Sequence, residues 1–128
     1  MDENAKMNIL CNAIRQKKQI RFYYSAQRTD TNRTKRMIEP GIRVVEPHLL
    51  GMTRKGNLAI RAYYVTGETR SAIHSKWRLY RLDRMIPKRG MNGIELLNKT
   101  FHKRSGYSDT DKQLTTRCAI YGRTRTVA

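Results

Sequence analysis

The sequence predicts a mainly β domain with flanking helices, built around a small, strongly curved sheet or barrel. Two observations lead there. Apolar residues alternate with polar ones at the two-residue period of half-buried strands, and five or six such short runs crowd into roughly 70 residues. Gly, Pro and Asn clusters punctuate those runs where turns need them.

The elements follow in order. Residues 4–18 read as an amphipathic helix, with Asn4 as its cap and Met7, Leu10, Cys11 and Ile14 at helical spacing. Its basic end, Arg15 to Lys18, suits the negative pole of a helix dipole. Ile20, Phe22 and Tyr24 alternate with Arg21, Tyr23 and Ser25 as the first strand. Residues 27–35 contain no apolar side chain and form a loop. Strands are expected over residues 36–39 and 43–46, separated by Pro40-Gly41 and closed by Pro47. Residues 49–53 and 58–66 make a hairpin across Arg54-Lys55-Gly56-Asn57, with Gly and Asn supplying positive φ. A second loop spans 66–75, and residues 77–83 form another alternating strand, with Pro87 beyond it. Ile94, Leu96 and Leu97 fit a short helix or an edge strand. Leu114, Cys118 and Tyr121 share one helical face, which predicts a C-terminal helix from about Asp109. Residues 1–89 therefore form one domain, and 90–128 a basic, partly helical extension packed on it or on a neighbour.

Charge narrows the function. Against 27 Lys and Arg stand 10 Asp and Glu, a net +17. Such an excess repels itself in a compact chain and calls for a polyanionic partner, nucleic acid first and an acidic protein second. Cys11 and Cys118 lie far apart without metal-ligand spacing and are expected as reduced thiols in a cytoplasmic protein. The acidic, polar start is no secretory signal, and no apolar run approaches the roughly 18 residues of a membrane span.

Four pieces, in order, resemble the WYL domain family: Ile20-Arg-Phe-Tyr-Tyr24, Arg43-Val-Val-Glu-Pro47 with Leu50, Gly56-Asn-Leu-Ala-Ile-Arg-Ala62, and Arg78-Leu-Tyr-Arg-Leu-Asp-Arg84. The resemblance runs over residues 9–86. It implies a small Sm-like β-barrel with a basic ligand pocket that senses nucleic-acid fragments or related anionic nucleotides in bacterial and phage regulators and defence systems. The naming tripeptide is here Leu58-Ala59-Ile60, so its Trp and Tyr are absent, leaving Tyr63, Tyr64 or Trp77 as substitutes. About 18 residues precede the first strand, enough for one helix and not for a helix-turn-helix. The chain thus looks like a stand-alone WYL-like protein of the kind phages and mobile elements encode.

The resemblance carries over Tyr24, Arg43, His48, Arg78 and Arg84 as pocket residues. Side-chain chemistry adds Arg61, Tyr63, Trp77 and Arg81: guanidinium forks engage phosphate oxygens in pairs, and flat rings stack on unpaired bases. Each has a plainer alternative. The arginines are equally solvated or ion-paired, one of them with Asp83. Trp77 is equally core or lid, and His48 is a structural hydrogen-bonding residue. Strand alternation places Trp77, Leu79, Arg81 and Asp83 on one face and Arg78, Tyr80, Leu82 and Arg84 on the other, so one ideal strand cannot bring all three arginines together. Lys88, Arg89, Lys99, Lys103 and Arg104 read as diffuse phosphate contacts or a solvated basic surface.

No catalytic constellation assembles. The carboxylates are scattered, Ser108 to Asp111 reads as a helix cap, and no glycine-rich phosphate loop or nucleophile motif occurs. His74 and His102 stand alone. The expectation is a binding module without metal or cofactor, not an enzyme, that recognises single-stranded or otherwise non-duplex nucleic acid. A protein-interaction module binding an acidic partner in transcription, defence or phage machinery is the alternative, and a homodimer would give Ile94 to Leu97 something to pack on.

Overall fold

The computed structural model describes residues 1–25, 40–67, 76–107 and 111–120. The expected loop over 27–35 and strand over 36–39 lie outside these residues, as do most of the second loop and residues 108–110.

Helix α1, Glu3–Gln16, begins one turn earlier than its apolar stripe suggests, because Asp2 rather than Asn4 caps it: the Asp2 carboxylate accepts the Ala5 N–H at 2.8 Å. Lys17, in the left-handed conformation, ends the helix. Leu10, Ala13 and Ile14 are its fully buried stripe.

Six antiparallel strands follow: β1 Lys18–Tyr24, β2 Gly41–Met52, β3 Leu58–Gly67, β4 Trp77–Arg81, β5 Ile94–Thr100 and β6 Thr115–Ala119. They form one sheet in the order β4-β3-β2-β1-β5, with β6 added to β2. The long β2 organises it. One edge of β2 pairs with β3 through residues 43–52. The opposite edge is shared, β1 taking residues 41–45 and β6 taking 49–52.

Several expectations need correcting. Pro47 does not close a strand. β2 passes straight through it, since the register shift between Pro47 and Leu49 is a bulge, where a residue lacking an N–H costs no ladder bond. Strand β4 stops at Arg81, and Leu82–Arg84 form a single 3-10 turn. No C-terminal helix forms over the described part of that segment. Residues 115–119 instead become β6, because β1 leaves the far half of β2 unpaired and the β-branched Thr115 and Thr116 suit the strand that fills it. Gly51 permits this contact: a Cβ there would lie 2.5 Å from the Thr115 carbonyl oxygen.

The sheet is open rather than a closed Sm-like barrel. The chain after β4 meets the end of β1 through a Tyr24–Met85 bridge and through the Ser25 and Ile86 N–H groups, bonded to the Arg84 and Tyr23 carbonyls. The Tyr24 hydroxyl also accepts the Arg81 backbone N–H at 3.0 Å. No β4–β5 ladder closes the sheet among the described residues.

The sheet separates two packed regions. The inner face carries Ile20, Phe22, Tyr24, Val45, Ile60, Ala62 and Tyr80 and is covered by α1. A smaller outer cluster gathers Leu49, Ala59, Leu79, Tyr107, Leu114 and Ala119. Pairing of Leu50 with Cys118 turns Cys118 toward α1, and a disulfide joins it to Cys11 with the Cα atoms 5.8 Å apart. The expectation of two reduced thiols is therefore overturned: the 107-residue separation concealed a contact made by tertiary packing. Ile94 packs into the chain's own core, while Leu96 stays 41% exposed. No helix among the described residues is long and apolar enough to cross a membrane.

Candidate functional site

Two aromatic and cationic clusters occupy opposite faces of the sheet. The inner one begins with Tyr24 at the end of β1. Its ring lies 5.0 Å from Tyr80 and 6.0 Å from Phe22, both edge-on, and Tyr80 lies 5.3 Å from Phe22. Arginines surround this trio. Arg43 stands opposite Phe22 in the β1–β2 ladder and is 3% exposed. Its guanidinium donates to the Gly41 carbonyl at 3.0 Å, sits 5.8 Å from the Tyr24 ring centre and bonds the Tyr80 hydroxyl. Arg78 precedes Tyr80 by two residues, so both project from the same face of β4. The 3-10 turn brings Arg84 round toward Tyr24, and Ser25 fixes that turn by donating its N–H to the Arg84 carbonyl at 2.8 Å.

Burial raises the pKa of both phenols, Tyr80 to about 12, although Arg43 and Arg78 pull Tyr80 down and Arg84 and Arg81 pull Tyr24 down. Both hydroxyls stay protonated at neutral pH. The cluster therefore sets neutral, buried phenols among arginines whose guanidinium N–H groups are donors of the kind phosphate oxygens and base edges accept.

The outer cluster is built differently. His48, fully buried on β2, donates Nδ1–H to the Glu46 carbonyl at 2.9 Å and accepts the Arg104 backbone N–H on Nε2 at 3.1 Å. Both ring nitrogens are thus committed, and burial lowers the His48 pKa. Its ring meets Trp77 at 4.8 Å and Phe101 and Tyr107 at 5.1 Å each. Arg104 grips the buried Glu46 carboxylate through two nitrogens, at 2.6 and 3.0 Å, and lies 4.3 Å from the Tyr63 ring centre. Gln19 donates to the same carboxylate at 3.3 Å. Arg61 pairs with Asp111 at 2.8 Å and also bonds Gln113.

The nine sequence-predicted residues consequently divide. Tyr24, Arg43, Arg78 and Arg84 come together on the inner face. His48, Tyr63 and Trp77 gather on the outer face, where Arg104 already covers the Tyr63 ring. Arg61 is held by Asp111, and Arg81 by Asp83 at 2.6 Å. Sequence reasoning did not select Tyr80, although its place two residues after Arg78 signalled a shared face. Arg104 and Tyr107 carried no local signal, since Glu46 and His48 lie more than 50 residues away from them.

Clustered arginines and tyrosines at one end of a helix-covered antiparallel sheet describe a small β domain with arginines gathered around two buried phenols. The family model of the WYL domain matches residues 5–88, and the chain belongs to that family. WYL domains are regulatory modules that sense ligands or nucleic acid. No curated protein and no solved structure matches the chain.

Proposed function

We propose that the inner face senses single-stranded or otherwise non-duplex nucleic acid, or a related anionic nucleotide, and that the domain acts by binding rather than by catalysis. One observation carries this reading: three arginines, 43, 78 and 84, bracket the paired rings of Tyr24 and Tyr80 on the inner face. Guanidinium groups supply phosphate and base-edge contacts, while the rings of Tyr24 and Tyr80, 3% and 4% exposed, pack in the core and position them. Base edges are open to such contacts in a single strand and paired in a duplex. His48, whose imidazole would suit a general base, has both nitrogens engaged within a closed core, which supports the non-catalytic reading.

The test is fluorescence anisotropy with labelled single-stranded DNA, single-stranded RNA and duplex of equal length at two salt concentrations, alongside Arg78→Ala/Arg84→Ala. Single-strand preference that persists near physiological salt and falls more than tenfold in the variant is expected. Weak, equal binding that vanishes with salt and ignores the substitutions would transfer the role of the charge to an acidic protein partner.

A further inference from the structure

Away from the inner face, the segment after β5 bounds a second concavity. An open groove of about 570 Å³ runs between the end of β5 and residues 101–105, a size within the roughly 300–1,000 Å³ of ligand sites. Its floor is the Glu46 carboxylate, buried beneath Gln19 and Arg104. That carboxylate is already neutralised by the Arg104 fork, so it does not set the charge of the groove. Lys99 and Lys103 do. Both are exposed on the groove wall, and neither ammonium forms an ion pair among the described residues. Thr100 and Ser105 line it as well.

We infer that this groove is a second anion site, which holds backbone phosphates of a nucleic-acid strand without reading its bases. Lys ammonium groups act as point charges, hydroxyls donate single hydrogen bonds, and the guanidinium that could fork onto a ligand is spent on Glu46. Phe101 lines the groove but is only 8% exposed, and the half-buried Val65 adds an apolar stretch to its wall. An open groove with two exposed lysines and two hydroxyls along one wall suits a phosphodiester chain. Its lysines and hydroxyls lie in residues 99–105, beyond the family match at 5–88, while Gln19, Glu46 and Val65 on its other side fall inside it. The inference takes its polymer from the function proposed above, but its site is physically separate.

Amide NMR shifts read the two sites independently. The probes are a single-stranded oligonucleotide, inorganic tripolyphosphate and an oligoglutamate peptide, with Lys99→Gln/Lys103→Gln as the variant; both lysines are exposed, so the fold tolerates the change. The oligonucleotide is expected to shift amides of 99–105 in the native chain and in Arg78→Ala/Arg84→Ala alike. Removing two phosphate contacts lowers the slope of log affinity against log salt by about 1.4, so the loss of affinity between 50 and 200 mM salt becomes about sevenfold smaller. Unmoved 99–105 amides, an unchanged salt slope, a response to tripolyphosphate alone, or equal binding of oligoglutamate would each overturn the assignment. If those amides respond while Arg78→Ala/Arg84→Ala binds as well as the native chain, the groove stands and the inner-face reading fails.

Discussion

The two faces of the sheet use the same residue types for different ends. On the outer face Arg61 and Arg104 close pairs with Asp111 and Glu46, whose side chains are only 10% and 3% exposed. These pairs bind the chain beyond β5 to the sheet. On the inner face Arg43, Arg78 and Arg84 are organised around phenols and a backbone carbonyl. An arginine locked to a buried carboxylate has its charge cancelled and its fork filled. Arg43, set among protonated tyrosines, gives its N–H groups to a neutral carbonyl and a phenol. Residue type alone therefore does not separate structural arginines from recognition arginines; the partner does.

The largest effect should come from the clip between the inner-face cover and β6. Reducing the Cys11–Cys118 disulfide releases a loop of more than 100 residues, which chain-entropy arguments put at about 4 kcal/mol. Urea denaturation with and without reductant measures this, and thiol titration of the native chain should find no free thiol until reductant is added. Two titratable thiols in the untreated protein would contradict the clip. Next comes Arg104→Ala, which leaves the Glu46 carboxylate with the Gln19 amide alone. A loss of about 2–3 kcal/mol is expected, below the figure for a fully buried pair because Arg104 is itself 43% exposed and water can follow it out. The same variant should retain nucleic-acid affinity at the inner face, so a large affinity loss with unchanged stability would erase the distinction between the faces.

A smaller effect concerns pH. His48 has its folded pKa lowered by burial from the ordinary 6.5. Below about 6.5 the unfolded chain takes up this proton before the folded chain does. The stability contribution is therefore intact above 6.5 and declines as pH falls toward the folded value, with a slope of at most about 1.4 kcal/mol per pH unit. Thermal unfolding of the native chain and of His48→Gln between pH 7.5 and 5 should show the decline in the former and a flatter profile in the latter.

Much of this architecture was legible in the sequence. The Ile20-Phe22-Tyr24 alternation, the turn between residues 53 and 58 and the Arg78-Tyr80 pattern are local signals and appear where expected. Only Gly56, at φ 88°, takes the positive φ expected of both Gly56 and Asn57. What escaped was set by distant partners. Pro47 reads as a strand end until β2 is seen to bulge at His48 and keep its pairing with β3. Leu114, Cys118 and Tyr121 keep helical spacing, yet the vacant edge of β2 draws residues 115–119 into a strand. The division of the nine candidate residues followed the same rule. Tyr24, Arg43, Arg78 and Arg84 share an inward register, whereas Tyr63 and Trp77 alternate outward toward a loop whose Arg104 no local pattern marks.

The most direct test of the inner-face assignment is ultraviolet cross-linking of a single-stranded oligonucleotide to the native protein, with the modified peptides mapped by mass spectrometry. The account predicts adducts on the peptides bearing Tyr24 and Tyr80, greatly reduced in Arg78→Ala/Arg84→Ala. Adducts confined to the peptides bearing Tyr63 and Trp77, and indifferent to those substitutions, would contradict it and place recognition on the opposite face.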